Sequence, residues 1–412
     1  MYRAGGKPSE DPLKLEIIDD FTYRLTFTEA FGDFMYYLAR KKYSAYTDWI
    51  KPSHFLKQYH IEYTSLEKMK PDLDKEQLGE DWWKLFAAKD VPHWRLTRKK
   101  AIGFPTLAPW HRVEGPPELI VMERNPYYFK VDAEGKQLPY IDRLESAYVS
   151  DTQLANMRVV DGEFDFLRED TGLNQMPLYK EYEAKGGFRA VLVDNTVTPS
   201  MLEINYTFAD PAWREVVNDR RFREALNYAI NRKEINDSVY YGLYGMPKSI
   251  PFEYNPDKAG QLLDEMVMNN RDAQGYRLGP GGKTFEFLFE VRDAAPDLIP
   301  TAELVTEHLK EVGIFVNMKT VTRALWGTRA SANEIKATLI WVNTETRPYV
   351  WDDYLPGAGR WGNPWRQWYN TGGDSGEEPP AWIKKLYEVH ERVMQAPPMS
   401  QQRTAAIADL RA

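Results

Sequence analysis

The chain has 412 residues, of which 43% are apolar and 28% are charged, so it can bury cores and is long enough for two or three domains or two lobes. A net charge of −8 excludes a broadly basic protein that binds nucleic acid, and the absence of cysteine excludes disulfides, thiol catalysis and thiolate metal sites. Aromatic residues reach 14%, with 13 tryptophans, which indicates that some rings line a site as well as a core.

The first half of the chain predicts short strands and helices in mixed order. Apolar and polar residues alternate over residues 15–27, which is typical of a β-hairpin. Residues 43–118 have poor periodicity and indicate short helices and loops, with the best helix over residues 71–86. Asp151 has the residue type of an N-cap for a helix over residues 152–160. Further strands are predicted over residues 118–123, 141–149, 163–167, 189–193 and 201–205.

The second half has clearer helix signals. Residues 219–230 are amphipathic, and Asn231 with Glu234 resembles a capping box for the next helix. Gly313 is expected to end a helix over residues 298–312. Other predicted elements are a helix after Asn255, strands over residues 284–291, 314–321 and 337–341, a long loop over 342–378 and a last helix after Pro380. Alternating strands and helices favour a mixed α/β architecture.

Catalytic and membrane signals are absent from the sequence. There is no phosphate-binding glycine loop, no serine nucleophile elbow and no H-E-x-x-H motif, and the six histidines fit no zinc spacing. We therefore expect no metal and no cofactor. The start of the chain has no apolar signal-peptide segment, and no run reaches the ~18 apolar residues of a spanning helix.

A cluster of aromatic residues is the most informative local feature. Five of the 13 tryptophans, with three tyrosines, lie within 29 residues: Trp341, Tyr349, Trp351, Tyr354, Trp361, Trp365, Trp368 and Tyr369. Aromatic side chains on a surface loop either pack into a local core or line a cleft, and the sequence leaves both alternatives open. Trp341, at the end of a predicted strand, is the strongest candidate for a binding pocket. Its ring could stack on a sugar or on a peptide side chain.

Five segments carry a resemblance to a known family. They follow one another in the order and spacing of extracytoplasmic solute-binding proteins of ABC importers, in the oligopeptide/dipeptide group known as family 5. The segments are Glu123-Arg-Asn-Pro-Tyr-Tyr128, Leu138-Pro-Tyr-Ile-Asp-Arg143, Asp161-Gly-Glu-Phe-Asp-Phe166, Asp219-Arg-Arg-Phe-Arg-Glu-Ala-Leu-Asn-Tyr-Ala-Ile-Asn-Arg232, and Asn255-Pro-Asp-Lys-Ala259 with Leu262-Leu263. The resemblance extends over roughly residues 14–395.

The resemblance implies a two-lobed α/β fold of the type II periplasmic-binding-protein kind, with mixed sheets. Residues 1–200 would form a partial first lobe with a hairpin and a helical insert, because the family pattern extends further at both ends. Residues 201–412 would form the second lobe, with the Trp-rich loop over 342–378 and without the final return to the first lobe. The lobes of the family close over a ligand by hinge motion.

The implied function is solute capture without catalysis. An oligopeptide is the expected ligand, and an oligosaccharide is the alternative within the same importer class. The expected partner is the permease of the importer, and the expected location is periplasmic or extracytoplasmic, with a monomeric chain that is peripheral to the membrane at most. A glycoside hydrolase with aromatic subsites is the alternative from another class, and it requires two opposed carboxylates in the cleft.

The resemblance also implies where the ligand binds. Trp341 is carried over by the motif, and Thr344 stands where peptide binders of the family have an aspartate that pairs with the peptide amino group, with Glu345 next to it. A neutral threonine cannot bind an ammonium group through charge. This difference favours an oligosaccharide ligand more than in a usual peptide binder of the family. The remaining candidates are chosen by proximity to Trp341 or to the crossover strand between the lobes: Asn343, Arg347, Tyr349, Trp351, Trp361, Trp365, Asn205 and Tyr206.

Overall fold

The computed structural model of the chain describes residues 13–32, 34–35, 50–149, 151–167, 173–192, 197–245, 253–293, 297–343 and 361–411. Two units are distinguished by their internal packing. Met1–Phe31 with Asp151–Ala412 form the large unit, and Gly32–Ser150 form the small unit. The expected lobe boundary at residue 200 stays a prediction.

The described part of the chain starts with a hairpin and continues through the small unit. Strands β1 (Lys14–Ile17) and β2 (Tyr23–Thr26) pair antiparallel, as the alternation predicts. The small unit contains helices α1 (Ser53–Leu56), α2 (Leu66–Lys75) and α3 (Trp82–Lys89), then strands β3 (Trp110–Val113), β4 (Leu119–Arg124) and β5 (Arg143–Ala147). The three strands form an antiparallel sheet in the order β3-β4-β5.

The single helix predicted over residues 71–86 is wrong. Two helices occupy this region, and α2 already begins at Leu66 and contains Pro71. Gln77 and Gly79 between them have φ angles of 57° and 60°, in the left-handed region that interrupts a right-handed helix. The strand β3 was not predicted, because the interval from 43 to 118 has no regular hydrophobic period.

The large unit is built on a four-stranded sheet. Its strands are β6 (Val197–Ile204), β7 (Glu286–Asp293), β8 (Phe315–Thr322) and β9 (Ala337–Asn343), in the order β6-β9-β7-β8. Strand β7 is parallel to both β8 and β9, whereas β6 runs antiparallel to β9. The mixed sheet agrees with the α/β class expected from the sequence.

Helices flank these strands along the chain. They are α4 (Thr152–Val160), α5 (Met176–Gly186), α6 (Pro211–Asn218), α7 (Arg220–Ala229), α8 (Arg232–Tyr240), α9 (Pro256–Asp264), α10 (Leu298–Glu311), α11 (Arg323–Ser331), α12 (Asn363–Asn370), α13 (Ala381–Gln395) and α14 (Gln401–Arg411). The predicted caps Asp151 and Asn231 accept hydrogen bonds from the helix backbone, and Gly313 has a φ of 85° after α10. In the ranges that the structure covers, no helix has the length and apolar content to cross a membrane.

Two predicted strands and one predicted loop need correction. Residues 163–167 and 189–192 form no strand. Side chains of α5 bind the backbone of the second segment, because Lys180 Nζ donates to the Ala190 carbonyl at 2.6 Å and Glu183 accepts from its N–H at 2.7 Å. The loop predicted over 342–378 contains helix α12, so Trp365 and Trp368 lie on a helix.

The main core of the large unit lies between the sheet and the helices α6 to α10. Alternate residues of β7, including Phe287 and Phe289, are fully buried, and Trp213 of α6 packs against Phe287. Arg277 is also fully buried at the margin of this core. Its guanidinium donates to Asp264 at 2.6 Å and to carbonyls that include that of Val312 at 2.8 Å.

We predict that Arg277→Ala lowers the free energy of unfolding by about 3 kcal/mol or more, because it leaves buried carbonyls without a donor. Urea denaturation measures the change. Arg220→Ala is the matched control, since the Arg220 side chain is 83% exposed and its ion pair with Glu224 contributes less than about 0.5 kcal/mol. Equal effects of the two substitutions would contradict the structural role of Arg277.

Candidate functional site

The carboxyl ends of β7, β8 and β9 meet at one edge of the sheet. Strands in parallel register have their carboxyl ends on the same side, and open α/β sheets bind ligands beyond this edge. Strand β6 runs the other way, so it begins at the same edge. Side chains that lie just before or after these strand ends are therefore the first candidates for ligand contact.

A hydrogen-bonded group of side chains occupies this edge. Asp297 follows β7, and its Oδ2 accepts a hydrogen bond from Trp341 Nε1 of β9 at 2.9 Å and one from the Tyr240 hydroxyl of α8 at 2.9 Å. The Tyr240 hydroxyl also lies 3.1 Å from Thr301 Oγ1 of α10. We call Tyr240, Asp297, Thr301 and Trp341 the edge network.

Burial controls the electrostatics of the edge network. Asp297 is only 3% exposed, and this burial raises the pKa of its carboxyl, against the opposing effect of the donors Trp341 and Tyr240. Burial and the neighbouring Asp297 charge raise the pKa of Tyr240, so its hydroxyl remains protonated and can donate. Over the described residues, no lysine or arginine forms an ion pair with Asp297. The carboxylate is therefore held by neutral donors and by the positive pole at the start of α10.

Trp341 is the predicted site residue that lies in the edge network. Its ring is half-buried and packs against the main core of the large unit. Asn343 ends β9, and its side chain lies outside the described part of the structure. Five further candidates lie outside the described residues and stay predictions: Thr344, Glu345, Arg347, Tyr349 and Trp351.

Asn205 has its side chain engaged within the protein. It is 2% exposed, and its Nδ2 donates to Asn333 Oδ1 at 3.0 Å and to the Ile335 carbonyl at 2.9 Å. Its Oδ1 accepts from the Thr207 N–H at 2.9 Å. These bonds tie the end of β6 to the turn before β9, and a ligand role for Asn205 stays a prediction.

A second group of aromatic side chains contains three of the predicted site residues. We call it the aromatic cluster, and it consists of Tyr206, Trp361, Trp365 and Trp382. The Tyr206 ring stacks on Trp365 at a centroid distance of 6.0 Å and contacts Trp361 at 5.5 Å. Trp365 is 3% exposed and packs on α13. Among the described residues no ring pair joins Trp341 to this cluster, so the local-core alternative describes Trp365, while Trp361 is half-buried beside it.

Sequence reasoning did not find Asp297 or Tyr240. An acidic residue in the connection between a strand and a helix was a usable signal for Asp297, once β7 and β9 were known to be neighbours. Tyr240 had no such signal, because the end of an amphipathic helix carries aromatic residues for many structural reasons.

The model of the family "Bacterial extracellular solute-binding proteins, family 5 Middle" matches residues 2–351. The chain belongs to this family, as the resemblance implied. The fold agrees, because 97% of the chain superimposes on the periplasmic binding protein MelB of Agrobacterium fabrum, solved in complex with stachyose. That match has a TM-score of 0.71 at 20% sequence identity and covers 59% of the MelB chain.

Two curated relatives are named for the two ligand classes expected above, an oligosaccharide and an oligopeptide. The periplasmic alpha-galactoside-binding protein of Rhizobium meliloti is 24% identical over 295 residues, which are 65% of this chain and 38% of that protein. The oligopeptide-binding protein AppA of Bacillus subtilis is 25% identical over 247 residues, which are 56% of this chain and 42% of that protein. The chain thus spans about two fifths of the length of these relatives. Both names describe binding proteins rather than glycoside hydrolases.

We predict that Trp365→Ala lowers the free energy of unfolding by about 3–5 kcal/mol, because it removes a buried indole from the aromatic cluster. Chemical denaturation measures the loss. Trp83→Ala is the control, since Trp83 is 53% exposed in the small unit and little packing is lost there. A loss for Trp365→Ala no larger than that of the control would show that this indole is not a core residue.

We also predict a specific pH dependence for Asp297. Because the folded-state pKa is raised above 3.8, the stabilisation from this carboxyl is full below that pH and is lost as the pH rises through the folded-state pKa. The unfolding free energy of the wild-type chain relative to Asp297→Asn should therefore fall as the pH rises from about 4 through the raised folded-state pKa. A relative stability that rises over this interval would contradict the direction of the shift.

Proposed function

We propose that this chain is the ligand-capturing part of a solute-binding protein for an ABC importer, and that solute binds at the edge network. The observation that carries the proposal is a half-buried tryptophan, tied by its N–H to a buried carboxylate, at the carboxyl edge of a parallel sheet. An oligopeptide is the first ligand class, as the sequence resemblance implies. Membership of the family supports delivery to a permease and a location outside the cytoplasm.

Trp341 supplies the apolar part of the proposed contact. An indole face takes up flat or apolar ligand groups, and such ring contacts contribute about 0.5–1.5 kcal/mol beyond the burial of their area. The bond from Nε1 to Asp297 occupies the polar atom of the ring, so what the ring has left to offer a solute is its apolar face. This arrangement suits reversible binding and calls for no bond cleavage.

An oligosaccharide is the second ligand class. The specific observation in its favour is the half-buried Trp341 ring, whose N–H is bound to Asp297 and whose apolar face is left for contact. Sugars present flat apolar faces that can stack on such a ring. The relatives named for alpha-galactoside binding and solved with stachyose support this class.

A thermal-shift screen tests the proposal with nonapeptides of varied sequence and with stachyose. A ligand that binds only the native state must raise the melting temperature. At a ligand concentration of 100 times the dissociation constant, the native state is stabilised by about 2.7 kcal/mol. We expect a shift with at least one probe and no hydrolysis of that probe by chromatography. No shift with any probe would contradict solute capture, and cleavage of the probe would favour a hydrolase.

Substitution of the tryptophan tests the position of the site. We predict that Trp341→Ala weakens binding of the active probe by about tenfold, since loss of the ring contact and its buried area removes roughly 1.4 kcal/mol. Trp83→Ala is the control and should bind normally, because Trp83 lies in the small unit. If Trp341→Ala binds as the wild-type chain does, the site lies elsewhere.

A further inference from the structure

Asp297 stands directly before a helix but does not cap it. Helix α10 begins at Leu298, and the Asp297 side chain accepts no hydrogen bond from the helix backbone. Asp210 and Asp219, at the same position before α6 and α7, both accept from backbone N–H groups, as aspartate usually does there. The Asp297 carboxylate is directed to Tyr240 and Trp341 instead. This departure calls for a role other than helix capping.

We infer that Asp297 is a positioning residue that fixes the orientation of the Trp341 ring at the ligand edge. The inference deepens the proposed function and rests on it for the role of the ring in binding. The body of the indole packs on the main core, and its Nε1 is held by Asp297 Oδ2 at 2.9 Å. Packing and a directed hydrogen bond thus restrain the same side chain, and together they favour one rotamer.

Turning the ring over would break the second restraint. The indole N–H would leave Oδ2, and this oxygen of the nearly buried Asp297 would keep only the Tyr240 hydroxyl as a donor. A buried acceptor that loses a donor costs free energy. The bond therefore stabilises one ring orientation over the other, in addition to what packing contributes.

Tyr240 holds the carboxylate itself in place. Its hydroxyl contacts Asp297 at 2.9 Å and Thr301 at 3.1 Å. The network thus joins β9 to α8 and to the start of α10, and every link is a hydrogen bond between side chains. A ring that is already ordered loses little conformational entropy when ligand arrives, and so binds more tightly.

A double-mutant cycle tests whether Asp297 acts through Trp341. The variants are Asp297→Ala, Trp341→Phe and the double substitution, with affinity measured by calorimetry for stachyose and for a nonapeptide. We expect Asp297→Ala to weaken binding about tenfold in the wild-type background and less than about twofold beside Trp341→Phe, which has no indole N–H. Asp297→Asn keeps an oxygen acceptor and should restore most of the affinity.

Asp219→Ala is the matched control for the cycle. It removes the cap of α7 and should lower stability without changing the affinity of the folded protein. If the role of Asp297 were purely structural, Asp297→Ala would likewise lower stability without changing the affinity of the folded protein. Equal losses from Asp297→Ala in both backgrounds, or an affinity unchanged by it, would overturn the inference. A normal affinity for Trp341→Ala would instead defeat the proposed function.

Exchange of the Trp341 indole proton with deuterium oxide gives a readout that needs no ligand. The resonance is identified by its loss in Trp341→Phe. We expect Asp297→Ala to speed this exchange by about tenfold or more, with a smaller increase in Asp297→Asn and none in Asp219→Ala. Unchanged exchange in Asp297→Ala would refute the positioning role. If neither probe binds but exchange behaves as expected, the proposed function fails while the positioning of the ring stands.

Should Asp297→Ala not fold, Asp297→Asn supports the same comparison, because a neutral amide oxygen is a weaker acceptor than a carboxylate. The Trp341 indole proton should then exchange about two to five times faster than in the wild-type chain. Exchange as slow as in the wild-type chain would count against the inference.

Discussion

Parallel pairing of β7 with β8 and β9 is the constraint on which the proposed site depends. Because parallel strands end on the same side, Asp297 and Trp341 meet although 44 residues separate them in the chain. The pairing also places the start of α10 at this edge, where its positive pole offsets part of the buried carboxylate charge. Without the parallel register, the carboxylate would have no indole to hold.

The aromatic residues have two different physical roles. Trp341 is half-buried and has one polar atom in the edge network, so its ring can serve both packing and ligand contact. Trp365 is almost fully buried against α13, and its loss would open a cavity. The high aromatic content of the sequence therefore reflects a structural cluster as well as the proposed binding surface. A count of tryptophans cannot distinguish these roles, whereas burial can.

Local chemistry predicted local structure well in this chain. Asn231 and Gly313 mark helix ends because their side chains, or the lack of one, act on adjacent backbone groups. Residues 189–192 were misassigned because Lys180 and Glu183 satisfy a backbone that would otherwise seek a partner strand. Asp297 escaped notice for a similar reason, since its partners are set by strand order. The five family segments predicted the fold class, and Trp341 is the residue of the edge network to which the resemblance also pointed.

Hydrogen–deuterium exchange of backbone amides, with and without the strongest probe from the screen, tests the central claim most directly. The account predicts that ligand slows exchange at the ends of β7 and β9, at the start of β6 and in the first turn of α10. Little change is expected in α12 and α13, where the aromatic cluster lies. Protection confined to α12 and α13, with none at the sheet edge, would contradict the account.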